Sequence, residues 1–162
     1  MIVISLRSKN KDIFKVDKEA LKFSILLTSI LDDVGNDILI PLPGISTRML
    51  KRCIYFMNYY KDKPFPELPK PLSADDIAKL TNKAYKNFVD LSMRELYDLI
   101  MAACYLDIKP LVQLVAAQMA LMMRSKQTMD DARDLFNLKN DFTHEEELEA
   151  QQSVDWVNTL KP

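Results

Sequence analysis

The stretch that decides the fold is L-Y-D-L-I-M-A-A-C-Y-L-D-I-K-P-L at residues 96–111, together with the apolar segment that follows it. Residues 111–123 place apolar side chains at helical spacing on one stripe, which consists of Leu111, Leu114, Val115, Met119 and Met122. The opposite side of this predicted helix is hardly more polar. Such a helix is either a core helix packed all round by its own chain or half-buried with one face kept for a partner. Because small proteins rarely expose apolar patches above roughly a few hundred Å² without a use, the second alternative predicts a binding function.

The composition argues against several classes of function. The net charge of −1 and a pI near 5.9 do not suit a nucleic-acid binder, which needs a basic face. Only two glycines are present, so neither a phosphate-binding loop nor a dinucleotide fingerprint can be formed. One histidine and two cysteines lie far apart in the sequence, which does not fit a structural zinc site. We therefore expect a protein that is not an enzyme, with no catalytic residues, no cofactor and no metal.

The N-terminal residues do not predict export or membrane insertion. M-I-V-I-S-L-R has no basic region followed by a long apolar core, and no run approaches 18 apolar residues. Without an export signal, Cys53 and Cys104 are expected to be free thiols in a reducing compartment.

The chain pattern changes from strands mixed with helices to helices alone at about residue 110. Residues 2–6 and 13–16 predict a hairpin, and residues 38–43 predict a third strand. The further expected elements are a short helix at 18–22 capped by Asp17, a helix through Ile25 and Leu31 ended by Gly35, helices 47–60, 77–85, 93–106, 111–123 and 128–136, an extended segment at 88–91, and a last helix opened by a capping box at Thr143 and Glu146. The proline-rich residues 61–76 favour a mobile connecting loop over a proline-rich ligand for another domain.

Two segments closely resemble the S-phase kinase-associated protein 1 family. They are Y-L-D-I-K-P-L at residues 105–111 and F-N-L-K-N-D-F-T at residues 136–143. Residues 96–106 are also similar to the family's L-F-E-L-I-L-A-A-N-Y-L, and P-L-P at 41–43 precedes a similar M-L-K-R-C-I-Y-F. The resemblance implies an α/β BTB/POZ fold over residues 1–110, a small sheet with surrounding helices, followed by a C-terminal helical F-box-binding extension over residues 111–162.

The family's role implies a non-enzymatic adaptor that bridges an F-box substrate receptor to a cullin in an SCF-type ubiquitin ligase. The implied F-box-binding residues are Leu111, Leu114, Val115, Gln118, Met119, Met122, Phe136, Leu138, Asn140, Phe142 and Trp156. The implied cullin-binding residues are Leu42, Pro43, Ile45, Cys104 and Tyr105. For Trp156 the alternative is an anchor of the last helix on its own core, and for Tyr105 it is a core tyrosine at a helix end. The resemblance further implies a homodimer when the F-box partner is absent and a cytoplasmic and nuclear location. The charge and the lack of a long apolar run predict no nucleic-acid or membrane partner.

Two other functions remain open at this point. An elongin C-like adaptor shares the BTB part but ends after it, so the helices beyond residue 110 favour the F-box adaptor. A self-associating BTB scaffold would bind F-box proteins without a cullin. The chain also departs from the family pattern, since Cys104 replaces the usual asparagine, Pro110 replaces the usual glycine, and His144 stands where some members have proline.

Overall fold

A three-stranded sheet lies at the start of the chain, with β1 (Val3–Arg7) at its centre. β2 (Ile13–Asp17) pairs with β1 in antiparallel orientation and completes the predicted hairpin, while β3 (Leu39–Pro41) pairs with the other edge in parallel orientation. Side chains alternate between the two faces of a strand, so one face of the sheet carries the buried Ile4, Leu6, Val16 and Ile40. The computed structural model describes residues 2–35, 38–65, 68, 87–125 and 128–159, and for residues 151 and 153–159 it describes the backbone alone.

The helices follow the sequence signals for their ends. They are a short 3-10 helix (Lys18–Phe23), α1 (Ile25–Val34), α2 (Thr47–Tyr60), α3 (Met93–Tyr105), α4 (Lys109–Arg124), α5 (Met129–Phe136) and α6 (His144–Thr159). Ser46 caps α2 by accepting the Met49 N–H, and Ser92 and Glu95 form both hydrogen bonds of the predicted capping box of α3. Gly35 follows α1 with a φ of 88°, a conformation that glycine adopts without steric cost.

One secondary-structure prediction is wrong, because residues 87–89 are helical where the sequence favours an extended segment at 88–91. Phe88 and Val89 are both buried, and periodicity cannot separate a short buried strand from a buried helical turn. The predicted helix at 77–85 and most of the proline-rich loop, at 66–67 and 69–76, lie outside the described residues.

The chain forms two compact units, residues 1–125 and residues 126–162. The first unit contains the sheet and α1 to α4, and the second contains α5 and α6. The sequence places the boundary at residue 110, before α4. Helix α4 belongs to the first unit because its first half is part of that unit's core, where Leu111, Leu114 and Val115 are at most 1% exposed.

An aromatic cluster centred on Phe56 holds the C-terminal half of α2 in the first core. The Phe56 side chain is fully buried, and its ring centroid lies 4.9–6.4 Å from those of Phe23, Tyr60, Phe65 and Phe88. Such distances suit edge-to-face and tilted ring pairs. The sequence predicts a buried face for α2 that includes Ile54 and omits Phe56, whereas Ile54 is only partly buried.

A buried hydroxyl joins the start of α1 to the turn between α3 and α4. Ser24 Oγ donates a hydrogen bond to the Leu106 carbonyl oxygen at 2.5 Å and accepts one from the Leu27 N–H at 3.2 Å. The Ile25 N–H donates to the Asp107 carbonyl oxygen at 3.4 Å. These contacts anchor the turn from which α3 and α4 diverge.

We expect acid to weaken the ion pair between Asp17 and Lys61. Lys61 Nζ lies 2.8 Å from Asp17 Oδ2, and hydrogen bonds from that ammonium and from the Glu19 N–H lower the Asp17 pKa from its ordinary value of 3.8. A lowered pKa in the folded state stabilises the fold above pH 3.8, and this stabilisation is lost as the pH falls through the lower value. The difference in melting temperature between wild type and Asp17→Asn should therefore shrink between about pH 5 and pH 2. A difference that stays constant over that range would contradict this assignment.

Candidate partner-binding surfaces

Helix α3 carries an exposed stripe of large side chains along one face, formed by Tyr97, Met101 and Tyr105 at four-residue spacing with Cys104 beside them. Tyr97 and Met101 are each 54% exposed, Tyr105 is 47% exposed, and Cys104 is exposed. The capping box fixes where the helix starts, and the buried Leu96, Leu99 and Ala103 fix its rotation. We call these four exposed residues the α3 stripe.

An open groove of about 480 Å³ runs between α3 and the loop from β3 to α2. Its walls mix apolar and polar groups, and they include Gly44, Met49, Asp98, Met101, Tyr105 and Lys9 from the β1–β2 turn. Hydrogen bonds hold that turn against the start of α2, since Ser8 Oγ and Thr47 Oγ1 are 2.9 Å apart and the Thr47 hydroxyl also donates to Asp12.

The structure divides the predicted cullin-binding residues into exposed and buried ones. Pro43, Cys104 and Tyr105 are exposed, and they lie on the loop and the helix that border the groove. Leu42 and Ile45 are each only 1% exposed and pack in the core, and their contact with the cullin stays a prediction. These two residues can support a contact surface but have almost no surface of their own to offer.

Helix α4 shows the same division along its length. Leu111, Leu114 and Val115 are at most 1% exposed, which favours the alternative of a core helix for this half, and their contact with an F-box stays a prediction. Beyond them, Gln118, Met119 and Met122 are half-buried, while Met123 is 47% exposed. The C-terminal half of α4 therefore keeps the adaptable, methionine-rich face, which we call the α4 face (Gln118, Met119, Met122 and Met123).

The second unit presents its own apolar side chains on α5 and the segment after it. Phe136 is half-buried, whereas Leu138 and Phe142 are 61% and 52% exposed. Asn140 is exposed, accepts the Phe142 N–H at 3.2 Å and donates to the Glu147 carboxylate. Trp156 lies in α6, and its side chain is outside the described part of the chain.

Comparison with known proteins matches both parts of the chain to one family. Residues 2–62 match the model described as Skp1 family, tetramerisation domain, and residues 109–157 match the model described as Skp1 family, dimerisation domain. An S-phase kinase-associated protein 1 homolog of Tetrahymena thermophila is 33% identical over 155 residues, covering 95% of this chain and 93% of that protein. The chain belongs to the Skp1 family.

Two further Skp1 relatives have names that state their assembly. The SCF ubiquitin ligase complex proteins SKP1b and SKP1a of Dictyostelium discoideum are each 31% identical to this chain over 160 residues, with 96% of both chains covered. The family resemblance and the fold class predicted from the sequence are thus confirmed.

The sequence did not lead us to predict that Tyr97 and Met101 of the α3 stripe contact a partner. Their four-residue spacing before Tyr105 is nevertheless visible in the sequence. The buried residues of α3 have a similar helical spacing, and the pattern alone does not say which face meets the core.

The two thiols of this Skp1 family member should react very differently. Cys53 is fully buried in α2, and burial raises its pKa to about 12, whereas Cys104 is exposed on the α3 stripe. Because the thiolate is the reactive form, iodoacetamide at mildly alkaline pH should modify the folded protein once per chain, at Cys104. Mass spectrometry of wild type and Cys104→Ser checks this result. Modification of both cysteines in the folded wild type would be inconsistent with the burial of Cys53.

The described residues contain neither a cluster of metal-binding side chains nor a helix that could span a membrane. No group of three or more histidine, cysteine, aspartate or glutamate side chains in that part of the chain is placed to hold a metal ion. None of the helices described is both long and apolar enough to cross a bilayer.

Proposed function

We propose that this chain is a non-enzymatic adaptor of an SCF-type ubiquitin ligase that bridges an F-box substrate receptor to a cullin. The observation that carries the proposal is a pair of surfaces with large aromatic or methionine side chains on two successive helices, the exposed α3 stripe and the partly exposed α4 face, within one Skp1 family fold. The names of the Dictyostelium relatives, which cover nearly the whole chain, support assignment to this type of ligase.

The α3 stripe suits the cullin. It combines two tyrosines, a residue type enriched among interface hot spots, with a methionine and the adjoining groove. A tyrosine can bury its large ring while its hydroxyl keeps a polar partner. This suits a surface that is exposed to solvent in the free protein and buried in the complex.

The α4 face suits the F-box. Methionine side chains repack at low cost, which helps an adaptor accept several receptors through one surface. Phe136, Leu138, Asn140, Phe142 and Trp156 of the second unit are proposed to add to F-box binding. The match to the second Skp1 family model at residues 109–157 favours this reading over an elongin C-like adaptor.

A pair of substitutions on the α4 face tests the F-box half of the proposal. Wild type co-expressed with an F-box segment should elute as a one-to-one complex, while the chain alone should self-associate. Met119→Glu with Met122→Glu should weaken F-box binding by at least about tenfold, because two carboxylates would be desolvated in an apolar interface. Both residues are half-buried in the free chain, so the melting temperature of each variant must be measured alongside.

Two controls make the result specific. Val34→Lys changes a 61% exposed residue at the end of α1 and should leave F-box binding unchanged. Cullin binding by the Met119 and Met122 variant should also persist. A wild-type chain that stays monomeric alone and captures no F-box segment would refute the proposal, and a stable homodimer that the segment does not dissociate would favour the BTB scaffold instead.

A further inference from the structure

The loop between β3 and α2 is held in place from both sides. The Leu42 N–H donates to the Arg7 carbonyl oxygen at 2.8 Å, and the Lys9 N–H donates to the Ile45 carbonyl oxygen at 2.8 Å. Leu42 and Ile45 are buried in the core, and Ser46 caps α2 directly after the loop. The backbone between them therefore has little room to move.

Gly44 lies on this loop next to the ring of Tyr105. A Cβ atom at Gly44 would lie 3.6 Å from Tyr105 Cε2, 3.7 Å from Cδ2 and 4.0 Å from Cζ. The backbone of Gly44 is not in the left-handed region. Among the described residues, the glycine with a positive φ is Gly35. The backbone at this position can thus accept other residues, and what glycine provides is space below the ring.

We propose that Gly44 is a positioning residue, which seats the Tyr105 ring on a side-chain-free surface and so presents it to the cullin. This inference rests on the proposed function, and it gives the loop residues Leu42 and Ile45 a supporting role in place of the predicted direct contact. A Cβ alone would meet the ring at ordinary van der Waals distance, so alanine fits. A longer side chain on an anchored loop displaces the ring, since the backbone below it cannot retreat.

The expected effect follows from the conformational freedom of the ring. Fixing a side chain in its bound rotamer before association removes part of the entropy cost of binding. Displacement of the Tyr105 ring from its position next to Gly44 should weaken cullin binding about three- to tenfold. This is the size expected for one side chain that must be immobilised on binding.

The test compares Gly44→Ala, Gly44→Leu and wild type, each as the complex with an F-box segment, by calorimetric titration with a cullin N-terminal fragment. Alanine should stay within about twofold of wild type, and leucine should show the three- to tenfold loss. F-box binding and melting temperature should be unchanged in both, and Gly44→Val serves as a second bulky variant if the leucine variant folds poorly.

A double-mutant cycle with Tyr105→Ala separates positioning from direct contact. If Gly44 acts through the ring, Gly44→Leu should cost nothing further once the ring is absent. An equal loss in both backgrounds, or wild-type affinity for Gly44→Leu, would overturn the inference.

Proton NMR on the F-box complex keeps this failure distinct from failure of the proposed function. Nuclear Overhauser contacts between the Gly44 α-protons and the Tyr105 ring should be present in wild type and lost in Tyr105→Ala. If wild type binds no cullin, the proposed function fails, and the NMR contacts still test whether the Tyr105 ring packs next to Gly44. If those contacts are absent from wild type, this packing is wrong.

Discussion

We expect Phe56→Ala to lower the free energy of unfolding by about 3–5 kcal/mol, the largest stability loss foreseen for a single substitution here. The side chain is fully buried and touches four other aromatic rings, so its removal leaves a cavity that rigid neighbours cannot refill. Domains are stable by about 5–15 kcal/mol, so a large share of the total would be lost. Urea unfolding followed by circular dichroism measures the effect.

Tyr55→Ala is the matched control for this prediction. Tyr55 is the preceding residue of α2, is 51% exposed, and within the described part of the chain has one ring contact, at 5.2 Å from Phe88. Its loss should cost about 1 kcal/mol, the scale of a single aromatic pair. Equal losses for the two variants would contradict the aromatic cluster as the centre of this part of the core.

Tyr105→Lys should weaken cullin binding by at least about 30-fold and leave F-box capture intact. Removing a tyrosine hot spot typically costs about 2 kcal/mol or more, and the new ammonium would be desolvated in the interface. Because Tyr105 is 47% exposed, the fold itself should tolerate the change. Titration of the F-box complex with a cullin N-terminal fragment gives the affinity.

Two further variants make this result interpretable. Val34→Lys introduces the same charge at another exposed apolar position and should bind the cullin like wild type. Met101→Lys, one helical turn before Tyr105 on the α3 stripe, should also weaken cullin binding. If Tyr105→Lys retains wild-type affinity, the α3 stripe is not the cullin surface.

Helix ends were predictable from the sequence because their signals are local. Ser46, Ser92 and Thr128 are N-caps, and each accepts a hydrogen bond from the backbone N–H three residues later. The residue that caps a helix is therefore next to that helix in the sequence. The β1–β2 hairpin was predictable for a related reason, since alternating side chains mark its buried face.

Burial was predicted less well, because it depends on what lies across the core. The apolar stripe of α4 is continuous in the sequence, yet Leu114 is buried by its own chain while Met122 is only half-buried. Leu42 and Ile45 were assigned to the surface with Pro43, but only the proline is exposed. Periodicity identifies an apolar face, and only the folded chain shows how much of that face is already covered.

The most direct test of the adaptor function is the mass of a three-component mixture by size-exclusion chromatography with light scattering. The components are this chain, an F-box segment and a cullin N-terminal fragment, at equal concentrations. We expect one species with the summed mass of one copy of each component, and we expect the F-box segment and the cullin fragment not to associate when this chain is absent. A cullin fragment that elutes apart from the F-box complex, or that binds only by displacing the F-box segment, would contradict it.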